Sequence, residues 1–327
     1  MKRGILYFVI MMLCSMMLTS CGTNDKYRQL EEGKITVIAT LFPQYDFARQ
    51  IAGEYANVVL LLPPGMESHS YDPSPADIIA IQNADVFLYT GPYMETWAAD
   101  VTEEIEGDVR IVDLSAHIPL AKEEDIEAEY ESMHEAEGNG HEEHRHSHEG
   151  HSHLYDPHIW TNPVYAKIMV GDILEALAEA DPLHGEIYRE NAAQYLAGLE
   201  ELDRDIREAV AAADRKEIFF GGRFAMYYFA REYGLRYEAV YDSCSSETEP
   251  SVQMVVHVVK EMREKEIPVI YYEEMVEPRI ARTIADETGS RMLLWHSCHS
   301  VTKDELLEGV TYLELMRQNL ENLKEGL

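Results

Sequence analysis

The chain has 327 residues, 46% of them hydrophobic, and carries a formal net charge of -33 at pH 7. A chain of this length usually forms more than one hydrophobic core, so two domains are expected. The negative charge excludes nucleic acids and anionic lipid surfaces as partners, because binding to phosphate requires a basic surface. It suits a protein that attracts cations, although solvation explains the acidic stretch 123–149 equally well.

The N-terminus predicts a lipoprotein signal peptide over residues 1–20. A basic start, MKR, precedes an apolar run over residues 5–18, which has the length of a signal-peptide core and is too short for a membrane span. The run ends in LTSCG at residues 18–22, which resembles the bacterial lipobox. Cleavage there would leave Cys21 as the lipid-bearing first residue, with a linker over residues 21–33. The alternative is an ordinary secreted protein in which Cys21 is a spare thiol.

Four cysteines occur, of which Cys14 lies in the signal core and Cys21 in the lipobox. The other two, Cys244 and Cys298, remain in the mature chain. Outside the cytoplasm such a pair favours a disulfide, which would close a loop of about 50 residues and add roughly 4 kcal/mol of stability. The competing interpretation is that a thiolate binds metal.

The first half of the mature chain opens with a βαβ unit. A β-branched run over residues 35–41 and a second strand over residues 57–62 flank a helical spacing over residues 44–52, and parallel strands require such a crossover helix. The loop PPGMESHSYDPSP follows at residues 63–75 and carries His69. In open α/β sheets ligands bind beyond the carboxyl ends of strands, where this histidine is expected.

A histidine-dense segment spans residues 134–153 and contains seven of the fourteen histidines. Its mixture of His and Glu offers many nitrogen and oxygen donors, which predicts a flexible loop that collects metal ions. The expected donors are His141, His144, His146, His148, His151 and His153. The alternative is a solvated low-complexity linker.

A different kind of histidine follows this segment. His158 lies in the compact turn DPHIW at residues 156–160, where the tryptophan supplies a bulky anchor. An ordered ligand loses less conformational entropy on coordination than a mobile one. We therefore predict that His158 belongs to one ordered metal site.

Helical spacing continues over residues 162–179 and then over the long segment Leu183–Ala213, which predicts roughly 45 Å of helix. Strands are predicted at residues 217–220, 269–272 and 291–295, and a single amphipathic helix closes the chain over residues 305–327. The predicted organisation is an N-terminal lobe over residues 34–182, an interdomain helix over residues 183–213 and a C-terminal lobe over residues 214–327.

The motifs occur in an order that resembles one known family. The lipobox, the Pro-Gly loop with His69, the strand ADVFLY at residues 84–89, the turn METW at residues 94–97, the His-rich insert and the His158 turn are similar to the zinc- and manganese-type solute-binding lipoproteins of ABC importers. The resemblance covers nearly the whole mature chain. It implies an α/β fold of two similar lobes with mainly parallel sheets joined by one long rigid helix. It also implies that His69 and His158 are metal ligands.

The chain departs from the family at Arg223. The family commonly has a histidine or glutamate ligand at this position, but arginine stays protonated and offers no lone pair. The resemblance places an Asp ligand of the family near His296, which we predict as the replacement, with His299 next. A nitrogen-rich site of this kind suits zinc better than manganese. Alternatively, Arg223 pairs with Glu247 or Glu273 and the two C-terminal histidines only cap a loop.

The resemblance therefore predicts a monomeric lipoprotein, anchored to the outer face of the bacterial cell membrane, that captures Zn²⁺ (Mn²⁺ is less favoured) for an ABC permease and its ATPase. No enzymatic activity is expected. The alternatives are a surface adhesin or a secreted zinc hydrolase with Glu273 as its base. The hydrolase is disfavoured because the sequence contains neither His-Glu-x-x-His nor Gly-x-Ser-x-Gly.

Overall fold

The structure, a computed structural model, describes residue 27 and residues 30–105, 107–135, 154–241 and 252–327. It contains two four-stranded parallel sheets with helices packed around them. This arrangement confirms the predicted α/β class and its two similar lobes. None of the helices within these ranges is both long and apolar enough to cross a lipid bilayer.

The first sheet has the strand order β2-β1-β3-β4. Its strands are β1 (Ile35–Ala39), β2 (Ala56–Leu60), β3 (Val86–Tyr89) and β4 (Arg110–Asp113). Its helices are α1 (Phe42–Ala52), α2 (Pro75–Gln82), α3 (Thr96–Glu104) and α4 (Glu123–Glu135). Every residue of β3 is buried, as expected for a central parallel strand covered on both faces. The predicted opening βαβ unit is confirmed.

The second sheet repeats this topology with the order β6-β5-β7-β8. Its strands are β5 (Glu217–Phe220), β6 (Arg236–Ala239), β7 (Val269–Tyr272) and β8 (Arg291–Leu294). The helices around it are α7 (Tyr227–Tyr233), α8 (Val252–Glu264) and α9 (Arg279–Thr288). Three of the four strands were predicted. The edge strand β6 was not, because its short sequence RYEA has no apolar run.

Two helices connect the sheets. Helix α5 (Pro163–Ala180) begins at Asn162, whose side chain accepts a hydrogen bond from the Val164 amide at 2.8 Å. Helix α6 (Gly185–Ala212) has 28 residues and buries one stripe of side chains, as the periodicity of this segment predicted. The predicted long helix is confirmed to within two residues at either end, whereas the exact lobe boundaries stay a prediction.

The C-terminal segment corrects one expectation. In place of a single closing helix the chain forms α10 (Lys303–Glu308) and α11 (Tyr312–Gly326). Gly309 ends α10 with a left-handed φ of 77°, a conformation that glycine adopts without steric cost. Thr311 then starts α11 with a capping box to Glu314. These local stop and start signals outweigh the continuous amphipathic pattern.

The two lobes share buried hydrogen bonds around Trp160. Its indole N–H donates to the Ser297 carbonyl of the second lobe at 2.8 Å. Its own carbonyl accepts from the Tyr312 hydroxyl at 2.5 Å. Both aromatic side chains are fully buried, so neither bond competes with bulk water. The turn that carries His158 is thereby fixed to the C-terminal part of the chain.

We expect Tyr312→Phe to lower the free energy of unfolding by about 1–3 kcal/mol, because the buried Trp160 carbonyl would lose its donor. Chemical denaturation measures this difference. The matched control is Tyr93→Phe, since the Tyr93 ring packs on Tyr155 at a centroid distance of 4.8 Å outside this network. Equal denaturation midpoints for Tyr312→Phe and the control would contradict the proposed importance of the bond.

Candidate metal site

The loop that carries His69 lies at the carboxyl end of β2 and is held by hydrogen bonds at several points. The Gly65 amide donates to the Val301 carbonyl of the second lobe at 2.9 Å. Gly65 has a φ of +81°, which explains why glycine follows the two prolines. At the far end of the loop, Ser74 caps α2 through Asp77, whose carboxylate also accepts from Tyr71 at 3.2 Å. The loop is thus ordered on both sides of the histidine.

His158 is held by an aspartate of its own turn. Asp156 Oδ1 accepts both the His158 amide and its ring Nδ1–H, each at 2.8 Å. This pairing assigns the proton to Nδ1 and leaves a lone pair on Nε2, the arrangement that carboxylates impose on metal-binding histidines. Tyr228 donates to the Asp156 carbonyl at 2.7 Å, and His158 itself is buried. The turn was predicted to be ordered, and the structure supplies the reason.

The two predicted histidines meet. His69 Nε2 and His158 Nε2 lie 3.2 Å apart. Two nitrogen ligands at about 2.0–2.1 Å from a tetrahedral zinc ion are separated by about 3.3 Å. The observed spacing therefore fits two ligands of one zinc ion, and it also fits a hydrogen bond between the rings when no metal is bound.

The second lobe contributes the segment after β8. Ser297 donates to Glu274 from its amide at 2.9 Å and from its hydroxyl at 2.6 Å. His299 Nδ1 is hydrogen-bonded to the same hydroxyl and lies 3.5 Å from Glu274 Oε1. These contacts occupy Nδ1 of His299 and leave its Nε2 as the nitrogen that can bind a metal ion.

His299 also lies where its segment meets the first lobe. Burial lowers the pKa of His299 and outweighs the opposing charges of Glu274 and Glu67. A lowered pKa keeps the imidazole neutral, the form that binds metal. Its carbonyl accepts from the Phe42 amide at 3.3 Å. His299 is therefore a third candidate ligand beside His69 and His158.

His296 has different surroundings. Its Nδ1 accepts from the Cys298 amide at 2.9 Å and lies 3.7 Å from Glu274, while Asn319 holds its backbone. Its Nε2 is buried without a hydrogen-bond partner among the described residues. Because Nδ1 accepts a hydrogen bond, the neutral ring carries its proton on Nε2, which then has no lone pair for a metal ion. The contacts of His296 also lie within the second lobe, so the structure favours His299 over His296.

Arg223 pairs with a carboxylate that was not anticipated. Its Nη1 lies 3.2 Å from Glu67 Oε2, in the loop of His69. Glu67 Oε1 in turn accepts from the His69 amide at 3.3 Å. Of the two predicted partners, Glu247 lies outside the described residues, and Glu273 accepts from the Arg223 backbone amide. Burial and the charges of Glu274 and Glu67 raise the pKa of Glu273 to about 7, although Arg223 opposes them.

The remaining predicted residues have separate outcomes. Across the described ranges, no three or more His, Cys, Asp or Glu side chains are already arranged to hold a metal ion. Cys298 is a buried free thiol, and Cys244 lies outside the described residues, so the structure lends no support to a bridge between them, which stays a prediction. Also outside the described residues are Cys21 and the six loop histidines, His141, His144, His146, His148, His151 and His153.

Sequence reasoning missed two carboxylates at the site, Glu67 and Glu274. Glu67 stands two residues before His69 in a Pro/Gly-framed loop, so an acidic residue at that spacing was an available signal. Glu274 is the second residue after the buried strand β7, and side chains at the carboxyl ends of parallel strands meet at one edge of the sheet. Their partners were not predictable, because both carboxylates bond to residues distant in sequence.

A fully buried carboxylate, Glu95, lies at the carboxyl ends of β1 and β3. It accepts from the Thr90 amide at 3.0 Å and the Gly91 amide at 3.2 Å, and also from the Thr40 hydroxyl. Burial nevertheless outweighs these bonds and raises the pKa of Glu95 from 4.5 to about 7. The side chain thus takes up a proton on folding between these two pH values.

This uptake predicts a pH-dependent stability. Below pH 4.5 Glu95 is protonated in both states, whereas between pH 4.5 and about 7 only the unfolded chain releases the proton, so stability falls as pH rises. We expect the difference in unfolding free energy between wild type and Glu95→Gln to decline by up to about 1.4 kcal/mol per pH unit in that window. Chemical denaturation at several pH values measures it, and the exposed Glu103→Gln serves as control. A flat difference would contradict the raised pKa.

Taken together, two sheets of identical topology, a histidine pair in the first lobe and further histidines in the second define a two-lobed α/β binding protein with a candidate metal site. Residues 37–326 match the family model described as the periplasmic component A of the zinc-uptake complex, ZnuA. The chain therefore belongs to the ZnuA family.

Individual relatives agree with this assignment. The chain is 33% identical to the high-affinity zinc uptake system protein ZnuA of Bacillus subtilis, over 96% of this chain and 95% of that protein. The crystal structure of the metal-dependent lipoprotein YcdH from Bacillus subtilis matches with a TM-score of 0.73 and 32% identity, over 90% of this chain and 99% of that one. Zn(II)-bound AdcA from Streptococcus pneumoniae matches with a TM-score of 0.72 and 29% identity, over 90% of this chain but 58% of that chain.

Proposed function

We propose that this protein captures Zn²⁺ outside the cytoplasm and delivers it to the permease of an ABC importer. The observation that carries the proposal is the 3.2 Å spacing of His69 Nε2 and His158 Nε2, which suits two ligands of one zinc ion. The relatives support the same metal, since one is a zinc uptake protein and another was solved with Zn(II) bound.

In this proposal His69, His158 and His299 supply three imidazole nitrogens, two from the first lobe and one from the second. His296 is the alternative to His299, but its proton would have to move from the buried Nε2 before that atom could bind a metal ion. Three neutral imidazoles favour zinc over manganese or magnesium, which bind oxygen donors more readily. Glu67, Glu273 and Glu274 surround the site with negative charge that attracts a dication.

No catalytic step is proposed. Glu273, the residue that a hydrolase would use as its base, is half-buried beside Arg223 and Glu67. Capture requires only ordered, deprotonated donors, and release requires the permease to disturb them. Because ligands come from both lobes, a small change in the position of one lobe would alter the distance between His299 and the histidine pair.

Zinc titration of the mature protein against a competing chelator tests this assignment. We expect one tight site. His158→Ala and His299→Ala should each weaken it by at least about tenfold, or about 1.4 kcal/mol. Asp156→Asn should weaken it by about 10–100-fold, because His158 would lose the carboxylate that orients its ring. The chelator suppresses any weaker binding by the His-rich segment.

The control is His117→Ala, which removes a histidine whose side chain is 69% exposed and paired with Asp172. It should leave the tight site unchanged. If His296→Ala abolishes the site while His299→Ala does not, the third ligand is His296. Tight binding that survives His158→Ala would refute the proposed site altogether.

We further propose that Cys21 carries the lipid that anchors the protein to the outer face of the cell membrane. The LTSCG sequence at residues 18–22 supports this, and two or three acyl chains anchor far more firmly than one. We expect Cys21→Ser to release the protein from the membrane fraction into the medium or periplasm, as cell fractionation and immunoblotting would measure. Equal membrane retention of wild type and variant would argue against the anchor.

A further inference from the structure

Three charged groups from both lobes meet beside the histidine pair. Glu67 belongs to the first lobe, while Arg223 and Glu273 follow β5 and β7 of the second lobe. The Arg223 guanidinium lies 3.2 Å from Glu67, and its backbone amide donates to Glu273. The Arg223 and Glu67 side chains are only 17% and 30% exposed, so water screens their interaction incompletely.

Glu67 interacts with a candidate ligand residue in each lobe. Its Oε1 accepts from the His69 amide, two residues further along the same loop. Its charge also acts on His299 in the other lobe. A carboxylate in this position is an oxygen donor for a divalent cation, but its Oε2 is engaged by Arg223.

Arg223 and a bound dication would therefore both interact with the negative charge of Glu67. The guanidinium is permanently charged and cannot itself become a ligand. It neutralises the carboxylate that would otherwise attract the dication, and its own positive charge repels the dication. Both effects lower metal affinity. Removing the guanidinium would leave Glu67 with an uncompensated charge, which a dication could neutralise.

We propose that Arg223 sets the zinc affinity of this protein by competing with the metal ion for the carboxylate of Glu67. This inference rests on the proposed zinc-binding function and adds to it the residue that determines how tightly the ion is held. The guanidinium lies beside Glu67 and serves there as a cation that is covalently attached to the protein. Its return to Glu67 would favour release of the ion once the permease disturbs the histidines.

The test is a zinc titration, under chelator competition, of the mature wild type, Arg223→Met, Glu67→Gln and the double variant. Methionine retains much of the apolar stem of arginine without its charge. We expect Arg223→Met to bind zinc about tenfold or more tightly, and the gain to fall below about threefold in the Glu67→Gln background. Arg223→Lys should stay close to wild type, because it restores the cation.

Two further measurements separate this role from a structural one. The d–d absorption of bound Co²⁺ should change in Arg223→Met, as Glu67 joins the coordination sphere, and should return to the wild-type spectrum in the double variant. Arg317→Met removes the same charge from the exposed pair of Arg317 with Glu201, 3.3 Å apart on α11 and α6, and should change neither readout.

The outcomes are distinct. Unchanged or weaker zinc binding by Arg223→Met would overturn the proposal, as would a gain that persists in full without the Glu67 carboxylate. Tight zinc binding by wild type that depends on His158 would still uphold the proposed function in either case. Weak wild-type binding with no dependence on His158 would instead overturn the function itself.

Discussion

The hydrogen bond from the Trp160 indole to the Ser297 carbonyl, 2.8 Å long, is the contact on which the arrangement of the site depends. It joins the turn of His158 to the segment of His296 and His299. The Tyr312 hydroxyl reinforces it from α11 by donating to the Trp160 carbonyl. Because all of these groups are buried, their geometry is costly to disturb. The distance between candidate ligands from the two lobes is thus governed by the packed core between them.

Near this contact, the site combines histidine nitrogens of fixed orientation with charged side chains of opposite sign. Asp156 orients His158, and Ser297 together with Glu274 orients His299. Each of these contacts occupies Nδ1 and leaves Nε2 for a metal ion. The neighbouring carboxylates favour a dication, while Arg223 offsets part of their charge through Glu67. A carrier must hold its ion firmly and still release it, and charges of opposite sign beside the donors act on a bound dication in opposite directions.

The repeated sheet topology explains how two lobes can build one site between them. Loops at the carboxyl ends of β2, β5, β7 and β8 all lie where open α/β sheets bind ligands. Two such edges face each other, so each lobe needs to contribute only a few side chains. Helix α6 and its buried stripe connect the lobes over 28 residues, which limits their relative movement.

The sequence by itself determined the α/β class, the long connecting helix, the two first-lobe histidines predicted as ligands and the absence of a lone-pair donor at Arg223. These features depend on local properties: apolar periodicity, Pro/Gly loop signals and the chemistry of single side chains. Only the tertiary structure decided that Arg223 pairs with Glu67, that the His299 carbonyl contacts the first lobe at Phe42, and that Gly309 divides the closing helix. The first two depend on groups more than 100 residues apart, and no local pattern encodes such pairing. The third depends on a competition between helix capping and amphipathic packing, which is settled only when both are present in the folded chain.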